Sequence, residues 1–190
     1  MLDKSAQAGQ HTYKERGDDA YFTPEVAVEA LLQVETLPEK IWEPACGAGN
    51  IVRVLRAHGH TVYASDLHDY GCGQSDVDFL TTDAIPPAGA IVTNPPFKLI
   101  EKFVWRALEL SPLVIILARL AFYEGRRRSK LLEESGLVRI HVFKNRLPMI
   151  HREGWTGPKA SSAIVFGWFV WQRGYTGPTT IDRISWEKSP

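Results

Sequence analysis

The chain has 190 residues, of which 44% are hydrophobic and 23% charged, values typical of a soluble globular protein with a single core. No apolar stretch is long enough to cross a bilayer, and the first residues lack the apolar segment of a secretory signal, so we expect a cytoplasmic protein without membrane contact. Cys46, Cys72 and the six histidines show no metal-ligand spacing, which predicts neither a disulfide framework nor a bound metal.

The net charge is zero, but the charges are unevenly distributed along the chain. Residues 1–125 carry ten basic and seventeen acidic side chains, whereas residues 126–159 carry nine basic and three acidic ones. Such a local excess of positive charge suits contact with a polyanion. A solvated helix face explains the run from Arg126 to Lys130 equally well.

Hydrophobic segments of strand length and helix length alternate through most of the chain. Residues 1–20 are polar and predict a flexible arm ahead of a single domain spanning 21–190. Thr23 and Pro24 are typical of a helix start, with Thr23 as the N-cap. Strands are predicted over 40–45, 61–67, 90–94 and 113–117, and helices over 50–58 and 99–110. This alternation predicts an α/β protein with a doubly wound, mostly parallel sheet.

The last third of the chain has a different pattern. Residues 139–145 and 163–171 are rich in β-forming side chains, no obvious helix separates them, and we predict that they pair antiparallel. Turn-forming residues over 173–178 favour a final edge hairpin over 179–186.

A glycine-rich turn, Ala45-Cys46-Gly47-Ala48-Gly49, follows the predicted strand that ends near Glu43. Ligands of doubly wound sheets bind beyond the carboxyl ends of the strands, and glycines let the backbone approach them closely. The spacing differs from dinucleotide-binding and P-loop motifs, so a cationic ligand without a pyrophosphate fits better, with Glu43 near its positive end. A plain strand-to-helix turn is the alternative interpretation.

Two further acidic positions follow predicted strand ends. Asp66 closes the second strand, where a carboxylate can accept hydrogen bonds from ribose hydroxyls. Asp78 and Phe79 follow a third strand end and suit an adenine amino group and its ring face. Taken singly, Asp66 is also explained as a helix cap and Asp78 as a loop carboxylate.

The motif Asn94-Pro95-Pro96-Phe97 follows the strand predicted over 90–94. An exocyclic amino group on a base is a poor nucleophile because its lone pair is delocalised into the ring. We expect the Asn94 side-chain oxygen and the Pro95 carbonyl to accept hydrogen bonds from the two N–H groups of this amino group. Pro96 then fixes the turn and Phe97 stacks on the base. A loop that merely ends a strand is the alternative interpretation.

The order and spacing of these motifs resemble class I S-adenosylmethionine-dependent methyltransferases. The resemblance implies a Rossmann-like sheet of seven strands, with an antiparallel strand near the C-terminus, and S-adenosylmethionine as cofactor. It implies that Tyr21-Phe22-Thr23-Pro24 folds back over the methionine part of that cofactor. The cofactor residues it implies are Tyr21, Thr23, Pro24, Glu43, Ala45, Cys46, Gly47, Gly49, Asp66, Leu67, Asp78 and Phe79.

Within that family, Asn at the first position and Phe at the fourth of the Asn94 motif are typical of enzymes that methylate N6 of adenine in DNA. The chain most closely resembles the small DNA adenine methyltransferases of phages and prophages, which implies DNA as the partner. One alternative is that the substrate is RNA adenine or a protein glutamine amide instead of DNA. A non-catalytic methyltransferase-like subunit is another.

A base inside a duplex reaches such a pocket only if it is flipped out, which requires a positive surface for the phosphates. His151 or Trp155 is a candidate to fill the gap left by the base, and anchoring of its own loop is the alternative interpretation. The chain departs from this family in that no large target-recognition domain is predicted after the catalytic core. We therefore expect specificity to be low, to lie in residues 146–159, or to come from a partner subunit. A homo-oligomer or a separate specificity subunit is the expected protein partner. The nucleic-acid-binding candidates are Arg126, Arg127, Arg128, Lys130, Arg146, Arg152, Trp155 and Lys159.

Overall fold

In a computed structural model of the chain, residues 22–148 and 164–187 are described. The predicted flexible arm, Tyr21 and residues 149–163 lie outside them. The strands are β1 (Lys40–Glu43), β2 (Thr61–Ala64), β3 (Ala90–Thr93), β4 (Leu113–Arg119), β5 (Leu137–Phe143), β6 (Phe166–Gln172) and β7 (Thr180–Ile184). The α-helices are α1 (Glu25–Leu32), α2 (Asn50–Ala57), α3 (Ile100–Leu110) and α4 (Ser129–Glu133), and short 3-10 helices cover Phe97–Leu99, Leu120–Tyr123 and Arg126–Arg128.

The described strands form one seven-stranded sheet in the order β2-β1-β3-β4-β6-β5-β7. β6 pairs antiparallel with both β4 and β5, whereas the other pairings are parallel. The predicted α/β fold, with a mostly parallel seven-stranded sheet and an antiparallel strand near the C-terminus, is confirmed. Because β1, β2, β3, β4 and β5 run in the same direction, their carboxyl ends meet at one edge, which we call the carboxyl edge.

The sheet has an apolar core on each face. One core contains α1 and α2 residues together with inward-facing strand residues such as Ile41 and Trp168. The other contains α3 and α4 residues together with Trp42 and Trp171. Side chains alternate between the two cores along each strand, so Trp168 and Trp171 lie on opposite faces. Both faces of β4 are covered, since residues 114–118 are buried throughout, as expected for a central strand between helical layers.

Three local predictions are wrong. α1 begins at Glu25 with Pro24 rather than Thr23 at its N-cap, because Pro24 is extended, with φ −63° and ψ 137°. Asp78 does not follow a strand: between β2 and β3 the described chain forms turns and one isolated bridge, Ser65 to Gln74. The segment over 179–186 forms no hairpin, since both edges of β6 are already paired with β4 and β5. Its strand, β7, pairs parallel with β5 instead.

A buried ion cluster joins the loop after α1 to β5. Glu35 is 8% exposed and accepts hydrogen bonds from Arg139 Nε and Nη2 at 2.5 and 2.8 Å. Its Oε1 also lies 2.7 Å from Nε2 of the buried His141. Burial by itself would raise the pKa of Glu35, but the hydrogen bonds with His141 and Arg139 outweigh it and lower that pKa. The cluster therefore fixes the C-terminal end of α1 against the sheet.

Candidate active site

The glycine-rich turn connects β1 to α2 at the carboxyl edge. Cys46 N donates to the Ser65 carbonyl at 3.0 Å, and Gly49 N donates to the Cys46 carbonyl at 2.8 Å. Gly47 and Gly49 have φ of +48° and +81°, which favours glycine at both positions. A Cβ on Gly49 would lie only 2.4 Å from the Cys72 sulfur. The turn is therefore closely packed, and its shape depends on the absence of side chains.

Asp66 lies directly beside this turn, and its role as a ribose-binding acid stays a prediction. Its Oδ2 accepts a 2.9 Å hydrogen bond from Gly47 N, and its Oδ1 accepts one of 3.0 Å from His68 N. Asp66 is half-buried, whereas the next residue, Leu67, is 53% exposed. The fold thus brings the end of β2 against the glycine turn after β1.

Glu43 is fully buried at the end of β1, next to the Thr93 hydroxyl. Ala45 N donates to Oε1 at 3.1 Å. Oε2 and the neighbouring Thr93 hydroxyl are both buried and make no hydrogen bond of good geometry with a described residue. Burial raises the pKa of Glu43 to about 8, the Thr93 hydroxyl and Ala45 N counteract this rise only in part, and the Asp66 carboxylate adds to it. A buried carboxyl with an orphaned oxygen fits a cationic ligand, because such a ligand would stabilise its charged form.

The segment before α1 covers the glycine turn, whereas its contact with the methionine part of a cofactor stays a prediction. Asn50 Nδ2 donates a 2.7 Å hydrogen bond to the Thr23 carbonyl. The Phe22 ring packs against Gly47, where an added Cβ would lie 3.1 Å from Phe22 Cε1. Arg53 pairs with Glu25 at 3.0 Å and donates to the Ala48 carbonyl at 2.7 Å. Thr23 and Pro24 are buried in this contact, whereas Tyr21 lies outside the described residues.

Asp78 lies beside Asp66 because Val77 N donates to the Asp66 carbonyl at 3.0 Å. The Asp78 carboxylate accepts from Leu80 N at 3.0 Å and from the Thr81 hydroxyl at 3.1 Å, so it caps a turn. Its side chain is nevertheless exposed, and its contact with an adenine amino group stays a prediction.

Phe79 lies in the core, with 2% of its surface exposed. Its ring centroid is 5.2 Å from that of Trp42 and 4.8 Å from that of Phe103. This packing leaves little of the ring to stack on a ligand in the conformation described. The expected role of Phe79 as an adenine-facing ring stays a prediction.

The Asn94-Pro95-Pro96-Phe97 motif begins at the end of β3, next to the end of β1 in the parallel sheet. The Asn94 side-chain oxygen is buried at this point, as is Pro95. Leu99 N donates to the Pro96 carbonyl at 2.8 Å and starts the 3-10 helix that leads into α3. The half-buried Phe97 ring lies 6.0 Å from the Phe166 ring. The Arg119 guanidinium lies 4.2 Å from its centroid. The fold therefore brings the glycine turn, Asp66 and the Asn94 motif to the same edge.

The basic candidates fall into two structural classes. The side chains of Arg126, Arg127, Lys130 and Arg146 are exposed near the carboxyl edge. Arg128 instead holds its own loop together, since its Nη1 donates to the carbonyls of Phe122 and Glu124, and its guanidinium lies 5.0 Å from the Phe122 ring. Arg152, Trp155 and Lys159, like His151, lie outside the described residues.

Three residues at the site were not among the predicted site residues: Asn50, Cys72 and Arg119. Asn50 carried a local signal, as the polar residue directly after the second glycine. Arg119 carried one too, because it is the single charged residue in the apolar run from Leu113 to Leu120. Cys72 could not have been found, since its contact with Gly49 depends on how the loop after Asp66 folds.

The two cysteines are free thiols, and Cys46 is buried. Burial, and secondarily the neighbouring Cys72 thiol, raises the pKa of Cys46, so its thiol stays protonated and unreactive. Within residues 22–148 and 164–187, no group of three or more His, Cys, Asp and Glu side chains is placed to hold a metal ion. None of the helices in this part of the chain has the length and apolarity required to span a membrane.

A groove of about 510 Å³ lies along edge strand β2 and is lined in part by Trp42, Tyr63 and Ile85. None of the predicted cofactor residues lines it. The candidate site is therefore the set of residues beyond the strand ends and not this groove.

Comparison with solved structures identifies the fold. The structure is similar to a protein from Vibrio vulnificus YJ016 assigned as a modification subunit of a type I restriction enzyme, with a TM-score of 0.56 and 15% identity, covering 84% of this chain and 45% of that one. This chain thus spans less than half of that protein. The structure is also similar to a protein from Pyrococcus horikoshii assigned as an RNA methyltransferase. The TM-score is 0.57 and the identity 13%, covering 78% of this chain and 81% of that one.

A TehB-like SAM-dependent methyltransferase from Corynebacterium glutamicum gives a TM-score of 0.52 and 15% identity, covering 84% of this chain and 91% of that one. The chain has the methyltransferase fold. No protein-family model matches its sequence, and no curated protein does. At these identities, the likeness shows the methyltransferase fold alone.

Proposed function

We propose that the chain is an S-adenosylmethionine-dependent methyltransferase that modifies N6 of adenine in DNA. The observation that carries the proposal is the arrangement of the two main motifs. The glycine turn with Asp66 and the motif that begins at Asn94 lie at the ends of adjacent strands β1 and β3. This arrangement supports a cofactor site and an acceptor site that lie side by side.

The residues around the glycine turn fit this cofactor. Glu43 Oε2 is a buried acceptor that makes no hydrogen bond of good geometry with the neighbouring Thr93 hydroxyl, and it suits a ligand that carries positive charge. Asp66 offers a carboxylate for ribose hydroxyls, and Phe22 and Thr23 cover the turn. When bound, the cofactor supplies a methyl group on a positively charged sulfur, ready for direct displacement.

The residues of the Asn94 motif position the acceptor. The Asn94 side-chain oxygen and the Pro95 carbonyl accept hydrogen bonds from the two N–H groups of the amino group. These hydrogen bonds localise the nitrogen lone pair. Phe97 holds the base by stacking, so the reaction depends mainly on positioning and charge placement. The methylated nitrogen is transiently positive, and its proton goes to water. No covalent bond between the protein and the base is required.

DNA is supported as the substrate class by two observations. The exposed side chains of Arg126, Arg127 and Lys130 lie on the segment that follows β4, and Arg146 follows β5, so both sets are near the site. The Vibrio vulnificus protein of similar fold is assigned as a modification subunit of a restriction enzyme. A separate specificity subunit, or a second copy of the chain, remains part of this proposal.

The proposal is tested by expressing the full chain in a methylation-deficient host and sequencing the DNA with a method that detects N6-methyladenine. Asn94→Ala is the matched control. DNA from cells that express the wild-type protein should carry the modification at defined positions, and DNA from cells that express Asn94→Ala should not. Both proteins should bind S-adenosylhomocysteine with similar affinity, because Asn94 belongs to the acceptor side.

Unmodified DNA from a soluble wild-type protein that binds S-adenosylhomocysteine would overturn the DNA assignment. Purified RNA and a glutamine-containing peptide would then be offered in competition. The Pyrococcus horikoshii protein of similar fold, assigned as an RNA methyltransferase, makes RNA the first of these to try. If the chain is a non-catalytic subunit, it should bind S-adenosylhomocysteine but transfer no methyl group to DNA, RNA or the peptide.

A further inference from the structure

Arg119 covers the ring that the proposed function reserves for the target base. It is the last residue of β4, and its guanidinium lies 4.2 Å from the centroid of the Phe97 ring. At this distance the cation is attracted to the ring. Arg119 was not among the predicted site residues, and the mechanism above does not use it.

The backbone of Arg119 is held on the sheet. Arg119 pairs with Phe166 in the antiparallel register of β4 and β6. The next residue, Leu120, donates its N–H to the Val165 carbonyl at 2.8 Å. The backbone at Arg119 is therefore fixed, whereas its side chain is long and flexible.

The guanidinium and a target base compete for the same ring. Both are planar and both stack on an aromatic face. Methyl transfer also places a positive charge on the base amino group until its proton leaves. A fixed cation next to the base would oppose that charge. Arg119 must therefore leave the face of Phe97 when the acceptor binds.

We propose that Arg119 is a positioning residue that gates the base site, and this inference rests on the proposed function. Without substrate its guanidinium covers Phe97. When a polynucleotide binds, the guanidinium moves to a phosphate next to the extruded nucleotide, where planar bidentate pairing is favourable. A nucleoside has no phosphate with which to draw Arg119 away, so the gate selects for polynucleotides.

The test compares methyl transfer to unmethylated DNA and to free deoxyadenosine by the purified full chain. Arg119→Ala should lower kcat/KM for DNA by about tenfold, mainly through KM, because a phosphate contact is lost. It should raise kcat/KM for deoxyadenosine about threefold, because the ring is uncovered. Arg119→Lys keeps the charge but not the planar fork. Its kcat/KM for DNA should therefore lie between those of the wild type and Arg119→Ala.

Arg173→Ala is the matched control, because this exposed arginine follows β6 at the opposite edge of the sheet and donates to the Leu108 carbonyl. It should leave the ratio of the two activities unchanged. Affinity for S-adenosylhomocysteine should be the same in all variants, since Arg119 acts on the acceptor side.

Equal losses on both substrates in Arg119→Ala would overturn the gate and indicate a merely structural arginine. If Arg119→Ala does not fold, Arg119→Lys and the wild type still decide the matter. The wild type should prefer a short adenine oligonucleotide to deoxyadenosine by at least about tenfold, and Arg119→Lys should reduce that preference. A wild type that methylates DNA without this preference contradicts the gate alone. A wild type that methylates no DNA contradicts the proposed function, and the gate with it.

Discussion

The side-chain amide of Asn50 donates a 2.7 Å hydrogen bond to the carbonyl of Thr23, which joins the first residue of α2 to the segment before α1. The Asn50 oxygen also accepts from Arg53 Nη2 at 2.6 Å. One side chain thus holds the covering segment in place over the glycine turn. In the proposed enzyme, the closure of the cofactor site depends on it.

Asn50→Ala should weaken cofactor binding more than it weakens the fold. Loss of one hydrogen bond at a half-buried position corresponds to about 1 kcal/mol, or roughly a fivefold rise in the Kd for S-adenosylhomocysteine. Isothermal titration calorimetry measures this Kd. Gln33→Ala, an amide removed from the exposed C-terminal end of α1, serves as the control and should bind normally. Equal affinities in Asn50→Ala and Gln33→Ala would show that the covering segment does not contribute to binding.

Glu43 should make the free protein less stable as the pH rises. Burial raises the pKa of Glu43 to about 8, so between its ordinary pKa and pH 8 the folded state binds more protons than the unfolded state. The free energy of unfolding therefore falls with rising pH over this window and levels off above it. The Glu43 contribution between pH 5 and pH 8 is roughly 3 kcal/mol. Urea unfolding at several pH values, compared with Glu43→Gln, isolates it, because the variant lacks the titrating group.

The same carboxyl should release a proton when a cationic cofactor binds. A positive ligand favours the ionised form of Glu43, so near pH 7 S-adenosylmethionine binding should release close to one proton. Calorimetric titrations in two buffers of different ionisation enthalpy measure this number. Glu43→Gln should release none. If the wild type shows no buffer dependence, then Glu43 does not carry a proton in the free protein.

Gly49 should tolerate a methyl group much less well than Gly59, although both have positive φ. Gly59 has φ +88° and no atom within 4 Å of an added Cβ, so Gly59→Ala costs only the backbone strain, about 1 kcal/mol. An added Cβ on Gly49 meets the Cys72 sulfur at 2.4 Å, and we expect Gly49→Ala to cost at least about 2 kcal/mol. Urea unfolding of both variants gives the difference.

Cys72→Ala in the Gly49→Ala background tests the cause of that difference. It removes the sulfur but leaves the Cys72 Cβ, which would lie 3.2 Å from the new methyl group. Part of the lost stability should therefore return. No recovery would mean that contact with the Cys72 sulfur does not cause the cost at Gly49.

The strand ends were predictable because their signals are local. Glu43 and Asn94 each follow a short apolar run, and a parallel sheet places such ends together whatever the exact strand order. The position of β7 was not predictable in this way. Its turn residues are typical of a hairpin, but both edges of β6 are occupied, which depends on the arrangement of the whole sheet.

The contact between Arg119 and Phe97 was beyond the sequence for a related reason. The two residues are near each other only because Thr93 pairs with Ile116, which sets the register of β3 and β4. A shift of that register would move the guanidinium along the edge. The surroundings of Asp78 were mispredicted for a different reason. Its carboxylate accepts hydrogen bonds from Leu80 N and the Thr81 hydroxyl, which stabilise a turn where a strand end was predicted.

Arg126 and Arg128 should have separable effects despite being neighbours in the same run. Arg126 is exposed, so Arg126→Ala should leave the Tm unchanged and weaken binding to an oligonucleotide. If Arg126 neutralises one phosphate, the slope of log Kd against log salt concentration should fall by about one. Fluorescence anisotropy over a series of salt concentrations measures it.

Arg128→Ala should show the opposite pattern, because the Arg128 guanidinium bonds to the carbonyls of Phe122 and Glu124 and lies on the Phe122 ring. Loss of these contacts should lower stability by about 1 kcal/mol, while the salt slope stays at the wild-type value once the protein is folded. A reduced slope in Arg128→Ala with an unchanged Tm would instead place Arg128 on the phosphates. The two measurements together decide which arginines of this run form the nucleic-acid surface and which maintain the loop that presents it.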